Sequence, residues 1–132
     1  MRIVIMGCGR TGAYLAKTLA GEGHQVTVID RTSAAFKRLG DDFTGELVMG
    51  TGIDEDVLHR AGIEHADVFV AVTDGDNTNV MAAQVARQIF GVRRVICRVY
   101  DPLREEIYRN LGLETICPTL LGASRIQEIL SQ

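Results

Sequence analysis

The sequence predicts an α/β domain in which six parallel strands form one sheet, order 3-2-1-4-5-6, wound on both faces by helices. Three observations carry this. Short apolar runs alternate with helical patterns six times along 132 residues, the sign of strand–helix–strand units in a parallel sheet. The runs are nearly continuously apolar, as expected where helices cover both faces. The links between them are short and carry Gly, Asp and Asn, with no linker, low-complexity tract or solenoid repeat.

Taken in order, Arg2–Met6 (RIVIM) is a buried strand, and Thr11 to Ala20 a helix with Thr11, Leu15, Thr18 and Leu19 on one face. Gln25–Asp30 and Ser33–Leu39 follow as strand and helix, then the strand Glu46–Gly50 and a short helix around Glu55–Ala61. Asp67–Thr73 is the fourth strand, and a long helix runs from about Thr78 to Phe90. Arg94–Val99 and Pro102–Leu111 form the fifth pair, Glu114–Cys117 and Leu120–Leu130 the sixth. Two βαβαβ halves place the strands in the order stated.

Residues 1–132 make one domain. A net charge of −3 without a basic run gives no footprint for nucleic acid or for a charged membrane surface. No stretch approaches the roughly 18 apolar residues that cross a bilayer, so no direct membrane insertion is expected. Met1–Met6 resembles the start of a signal peptide, but the run stops at Gly7 and no cleavage site follows. A cytoplasmic location is expected. Cys8, Cys97 and Cys117 show no paired spacing, which favours reduced, buried thiols over a zinc site or disulfides. Lysine occurs only as Lys17 and Lys37, both in surface positions of helices, which removes most lysine-based catalysis.

The sharpest motif is Gly7-Cys8-Gly9-Arg10-Thr11-Gly12, a G-x-G-x-x-G between a strand and a helix. Gly7 permits the tight turn, Gly9 lets a pyrophosphate approach the backbone, and Gly12 lets the helix pack against the sheet. The N–H groups that open the helix then face the phosphates. Asp30 closes the second strand, near the spacing of about 20 residues at which a carboxylate accepts from ribose hydroxyls. This is the Rossmann-type arrangement for an adenine nucleotide: NAD(H), or ATP, ADP or AMP. Asp30 repels a 2′-phosphate, although Arg31 beside it is placed to receive one, which keeps NADP open behind NAD.

Ligands of such sheets lie beyond the carboxyl ends of the strands. Candidates there are Thr51 and Gly52 after the third strand, with Asp54 more readily a helix cap than a ligand. Thr73, Asp74 and Asn79 follow the fourth strand; Asn79 is equally suited to ligand and to backbone. Arg98, a cation within an apolar strand, calls for a phosphate or an acidic side chain nearby. Hydride transfer needs an acid/base group beside the cofactor. No Tyr-x-x-x-Lys pair is present, and His24, His59 and His65 fall toward the amino ends of the strands, away from the ligand face. The last helix spreads Leu120, Ala123, Ile126, Ile129 and Leu130 over about half its circumference, which suits core packing and a partner equally.

The chain resembles the N-terminal lobe of the RCK domain, also called KTN or TrkA-N, a cytosolic nucleotide-binding regulator of potassium channels and transporters. The resemblance spans the chain and rests on Gly7-x-Gly9-Arg10-x-Gly12, Val28-Ile29-Asp30, Gly50-x-x-x-Asp54, Val72-Thr73-x-x-Asp76-x-x-Asn79, Arg98-Val99 with Asp101-Pro102, and Cys117-Pro118. It implies a homodimer, or a higher ring, joined by a crossover helix over about residues 119–132. It also implies a membrane potassium channel or transporter as partner, at the inner membrane face. By the same resemblance Arg10 meets phosphates, including those of a neighbouring subunit's ligand, and Thr73 and Arg98 line the cleft. Two departures stand out. Gly50-Thr51-Gly52-Ile53-Asp54 replaces the family's usual Gly-Asp-Ala-Thr-Asp. Cys117-Pro118-Thr119 replaces Ser-Pro-Glu, so the interface cation site of some members is not expected. The family's C-terminal lobe is not found in the sequence. A regulatory subunit without catalysis is therefore the leading reading, ahead of an NAD(P)-dependent oxidoreductase fragment and a domain that has lost its ligand.

Overall fold

The computed structural model describes residues 1–132. Apolar runs rich in Val and Ile form the strands β1 (Arg2–Met6), β2 (Gln25–Asp30), β3 (Glu46–Met49), β4 (Val68–Ala71), β5 (Arg94–Arg98) and β6 (Glu114–Ile116). They pair in parallel in the order β3-β2-β1-β4-β5-β6, as the sequence predicts. The α-helices are α1 (Arg10–Gly21), α2 (Glu55–Arg60), α3 (Asp76–Gln84), α4 (Pro102–Asn110) and α5 (Pro118–Leu130).

Side chains alternate across each strand, so β1 feeds two cores. Ile3 and Ile5 join Val26, Val28, Val68 and Val70 beneath α1. Val4 and Met6 join Ile29, Phe69, Ala71 and Cys97 beneath α2 and α3. The central strands are buried on both faces, whereas β3 at one edge and β6 at the other have no fully covered face.

Several elements differ from the expectation. α1 buries Gly12, Ala13 and Ala16 and leaves Thr11 and Thr18 exposed. The closest part of its contact face is made of small residues because the helix lies close to the sheet, flanked by Leu15 and Leu19, half-buried against the same core as expected, and the Thr18 hydroxyl donates to the Tyr14 carbonyl instead. Ser33–Leu39 is a 3-10 helix rather than an α-helix; it lacks a capping side chain and stops at Gly40, φ +79°. β4 ends at Ala71, since Val72 and Thr73 turn toward the next helix. That helix begins at Asp76 and closes in a π-helical turn, Val85–Ile89. A 3-10 turn at Ile63–His65 has no clear periodicity in the sequence.

Cys97 is wholly buried. Burial, with a smaller contribution from Asp76, pushes its thiol from 9.0 up to about 11. The protonated form is thus favoured in the folded chain. Its contribution to stability is complete below pH 9 and is lost as pH rises toward 11. Urea midpoints should therefore fall more steeply between these pH values in the wild type than in Cys97→Ala; parallel pH profiles would refute this account.

Candidate functional site

β1 runs straight into the glycine turn. Gly7 has φ +113°, and a Cβ there would stand 2.7 Å from the Val72 carbonyl oxygen, so both conformation and space require glycine. Gly12 passes so close over the Gly7 carbonyl that a Cβ would collide with it. Gly9 faces open space and is the N-cap of α1, with no capping side chain and no acid in the first turn. The first N–H groups of α1 are thus left for another acceptor, with the positive end of the helix dipole behind them.

Asp30 closes β2 against this turn. One carboxylate oxygen accepts from the Cys8 N–H at 2.8 Å, the other from the Thr32 N–H at 2.9 Å. A carboxylate offers about four acceptor positions, so capacity remains on its cleft side. Cys8 turns its thiol inward to the Ala35 carbonyl at 3.3 Å. Burial and then the Asp30 charge raise its pKa, which makes it a poor nucleophile.

These elements border a cleft of about 980 Å³ at the carboxyl edge of the sheet. Gly7, Cys8, Gly9, Asp30, Arg31, Thr51, Thr73 and Asp74 line it, all singled out in the sequence. Thr32, Ala34, Ala35, Arg38 and Thr78 line it too and were missed. Arg38 reaches from the 3-10 helix to the Cys8 carbonyl at 3.4 Å, a placement that follows from tertiary packing and has no motif. Arg10 opens α1 exposed and without a polar partner, and Thr11 is exposed beside it.

Four other candidates, Gly12, Gly52, Asn79 and Arg98, make contacts within the protein that hold the walls. Gly52 is buried, and a Cβ there would run into the end of the Met6 side chain, so it packs against β1. Gly12 likewise serves the helix–sheet approach. Asn79 is wholly buried and spends its amide on the protein: Oδ1 accepts from the Thr73 N–H at 2.9 Å and hydroxyl at 2.7 Å, and Nδ2 donates to the carbonyls of Thr73 at 2.9 Å and Arg98 at 3.0 Å. Arg98 lies beneath the wall. Its guanidinium donates to the carbonyls of Val72 at 2.8 Å and Thr73 at 3.0 Å and to the Thr11 hydroxyl at 3.1 Å, and lies 4.8 Å from the centre of the Tyr100 ring. The acidic neighbour expected for it is Asp74, but at 3.8 Å and fully exposed. Carbonyl dipoles therefore satisfy most of this cation, and its Nε has no partner. Asp54 caps α2, accepting from the Asp56 N–H at 2.9 Å.

Away from the cleft, His24 and His65 lie at the amino edge of the sheet, and His59 pairs with Glu64 and stacks edge-on against Phe90. Glu105, a buried acid the sequence reading passed over, accepts from Thr115 and pairs with Arg109. No three His, Cys, Asp or Glu side chains come together to hold a metal ion. No helix is long and apolar enough to cross a membrane.

Sheet order, glycine turn and the acid at the end of β2 together define a Rossmann-type domain. The model of the TrkA-N domain matches residues 3–118, and the chain belongs to that family. It is 54% identical over 116 residues to the Trk system potassium uptake protein TrkA of Streptomyces coelicolor, an alignment covering 88% of this chain and 52% of that protein. The chain thus spans about half the length of that relative. Among solved structures, the Kef CTD of Shewanella denitrificans in its AMP-bound form superimposes with a TM-score of 0.84 at 20% identity, over 99% of this chain and 80% of that one. The GsuK channel bound to NAD gives 0.73 at 21% identity, over 89% and 21%.

Asn79 joins Thr73 to β5 without reaching the cleft. Asn79→Ala should therefore cost stability rather than ligand contacts, at least about 2 kcal/mol from the buried groups it leaves unpaired. Chemical denaturation checks this; a loss below about 0.5 kcal/mol would contradict the wall-building role.

Proposed function

We propose that the chain is a regulatory unit of potassium transport that binds an adenine nucleotide, NAD(H) or ATP, ADP or AMP, and acts as a cytosolic homodimer without catalysis. The observation that carries this is the meeting, in one cleft, of the Asp30 carboxylate with the glycine turn and the uncapped start of α1. A carboxylate is the complement of ribose hydroxyls, and free N–H groups are the complement of phosphate. Arg10, exposed and unpaired at the first position of α1, adds a guanidinium suited to paired bonds with phosphate oxygens. The AMP of the Kef CTD and the NAD of the GsuK channel support this class of ligand. The potassium uptake role of the Streptomyces coelicolor protein supports a channel or transporter as partner.

Two further observations support the absence of catalysis and the dimer. The ionisable side chains of the cleft are Asp30, Arg31, Arg38, Asp74 and the thiol of Cys8, with no histidine, lysine or tyrosine among the lining residues to serve as a catalytic acid or base. α5 buries no residue; Ile126 is 60% and Leu130 79% exposed. The helix leaves its own sheet, where Ile96 and Ile116 stay partly open on the α1 face, and a second copy supplies the missing apolar surface.

Calorimetry with AMP tests the ribose contact. Asp30→Ala should weaken binding by roughly 1–3 kcal/mol. Because Asp30 also holds Cys8, the decisive comparison uses an AMP analogue without ribose hydroxyls. It should bind the wild type more weakly than AMP does but bind the variant equally; the same discrimination in both proteins would remove the ribose assignment.

Light scattering tests the assembly. The expected particle has twice the 14.4 kDa of one chain, and a monomer at high micromolar concentration would rule the dimer out.

A further inference from the structure

We infer that the peptide group joining Tyr100 to Asp101 is a latch that sets the angle of α5 relative to the cleft, with Asp76 and Thr119 as the positioning residues at its two ends. The inference rests on the reading of the cleft and of α5 given above. α5 lies in neither core cluster and has no buried residue, so packing within the protomer does not orient it. Its first turn is tied down at one point. The Tyr100 carbonyl accepts from the Thr119 hydroxyl at 2.8 Å and from the Cys117 thiol at 3.5 Å.

The other end of the same peptide group is held from the cleft side. The Asp101 N–H donates to one oxygen of Asp76 at 3.2 Å, and the Tyr100 N–H donates to the other at 2.9 Å. Asp76 is the first residue of α3 and follows Thr73, Asp74 and Gly75, which line the cleft. A second attachment runs through the ring of Tyr100, which covers the Arg98 guanidinium, itself bonded to the carbonyls of Val72 and Thr73 and to Thr11. The start of α1 and the end of β4 therefore both bear on Tyr100.

A peptide group is planar and rigid, so a tilt imposed at its N–H moves its carbonyl as one body. Pro118 has a fixed φ at the first position of α5, which leaves few other torsions to absorb the tilt. The helix carries the motion over 13 residues, a lever of roughly 20 Å. A ligand that contacts Thr73 to Gly75 more favourably in one orientation of α5 than in another would be read out as the direction of α5.

Hydrogen exchange of the full chain tests this with Thr119→Val, which keeps the branched shape and removes the donor, and with Thr119→Ser, which keeps the donor. Thr119 is exposed and outside both cores, so neither change threatens the fold. Without ligand, amides in the first two turns of α5 should exchange about five- to tenfold faster in Thr119→Val, the scale of one lost hydrogen bond. They should be unchanged in Thr119→Ser, and the amides of β1 and β4 unchanged in both. With AMP bound to the same extent in all three, α5 should be protected in the wild type and in Thr119→Ser but not in Thr119→Val. Equal α5 exchange in Thr119→Val and wild type overturns the latch, as does an α5 in the wild type that is blind to bound AMP. If calorimetry detects no nucleotide binding, the functional reading fails, and the ligand-free comparison alone decides whether the latch exists.

Discussion

The close approach of α1 to the end of β1 is the constraint on which the carboxyl edge of this domain depends. Gly12 lies over the Gly7 carbonyl with no room for a side chain, and Gly7 in turn lies against the backbone of Val72. The end of β1, the start of α1 and the distant Val72 are thereby held at backbone separation. The small buried face of α1, Gly12, Ala13 and Ala16, continues the same approach along the helix. The outcome is a helix start with free N–H groups placed beside the carboxylate of Asp30, which the Cys8 N–H fixes at 2.8 Å. Cleft geometry here is a product of missing side chains as much as of present ones.

The opposite wall is held by polar rather than steric means. Asn79 satisfies its whole amide on Thr73 and Arg98, and Arg98 satisfies most of its guanidinium on Val72, Thr73 and Thr11. Buried polar groups are costly unless paired. Once paired they specify one arrangement, and this knot fixes where β4 stops and α3 begins. Asp74 pairs with Arg98 at 3.8 Å from a fully exposed position, where solvent screens the interaction. The Arg98 guanidinium, bonded to the Thr11 hydroxyl, thus lies beneath the start of α1, at the positive end of the helix dipole.

Most of the fold was legible because its signals are local. Apolar runs marked all six strands, and the glycine turn with Asp30 marked the cleft, since each requires particular residue types at fixed spacing. What is not legible depends on tertiary packing. On α1 the apolar pattern marks Leu15 and Leu19, which do pack against the core, but not the closest part of the contact, because Gly12, Ala13 and Ala16 carry little apolar signal although they are what a close approach demands. For Gly52 and Asn79, position at the strand ends does not reveal which way a group is satisfied, and for Asn79 the structure shows all four of its hydrogen bonds made to protein groups. Arg38 was overlooked for the same reason: its place at the Cys8 carbonyl is created by the 3-10 helix folding over the turn.

The free end of the sheet extends this logic from the protomer to its surroundings. In a sheet wound on both faces, the helix after β6 would normally return to cover β5 and β6 on the α1 side. Here Pro118 follows β6 almost at once and starts α5 in a direction that buries none of its residues. The apolar surface of Leu120, Ile126, Ile129 and Leu130 is then exposed together with Ile116, both on the same end of the molecule. A wide apolar arc on a solvent-facing helix is costly to leave in water, and a helix held only by its first turn has no packing energy to resist a change of direction. These two properties favour different outcomes in isolation. Together they leave an element oriented by the few hydrogen bonds at its root, which run through the Tyr100–Asp101 peptide group to Asp76 and so to the cleft wall at Thr73 to Asp76.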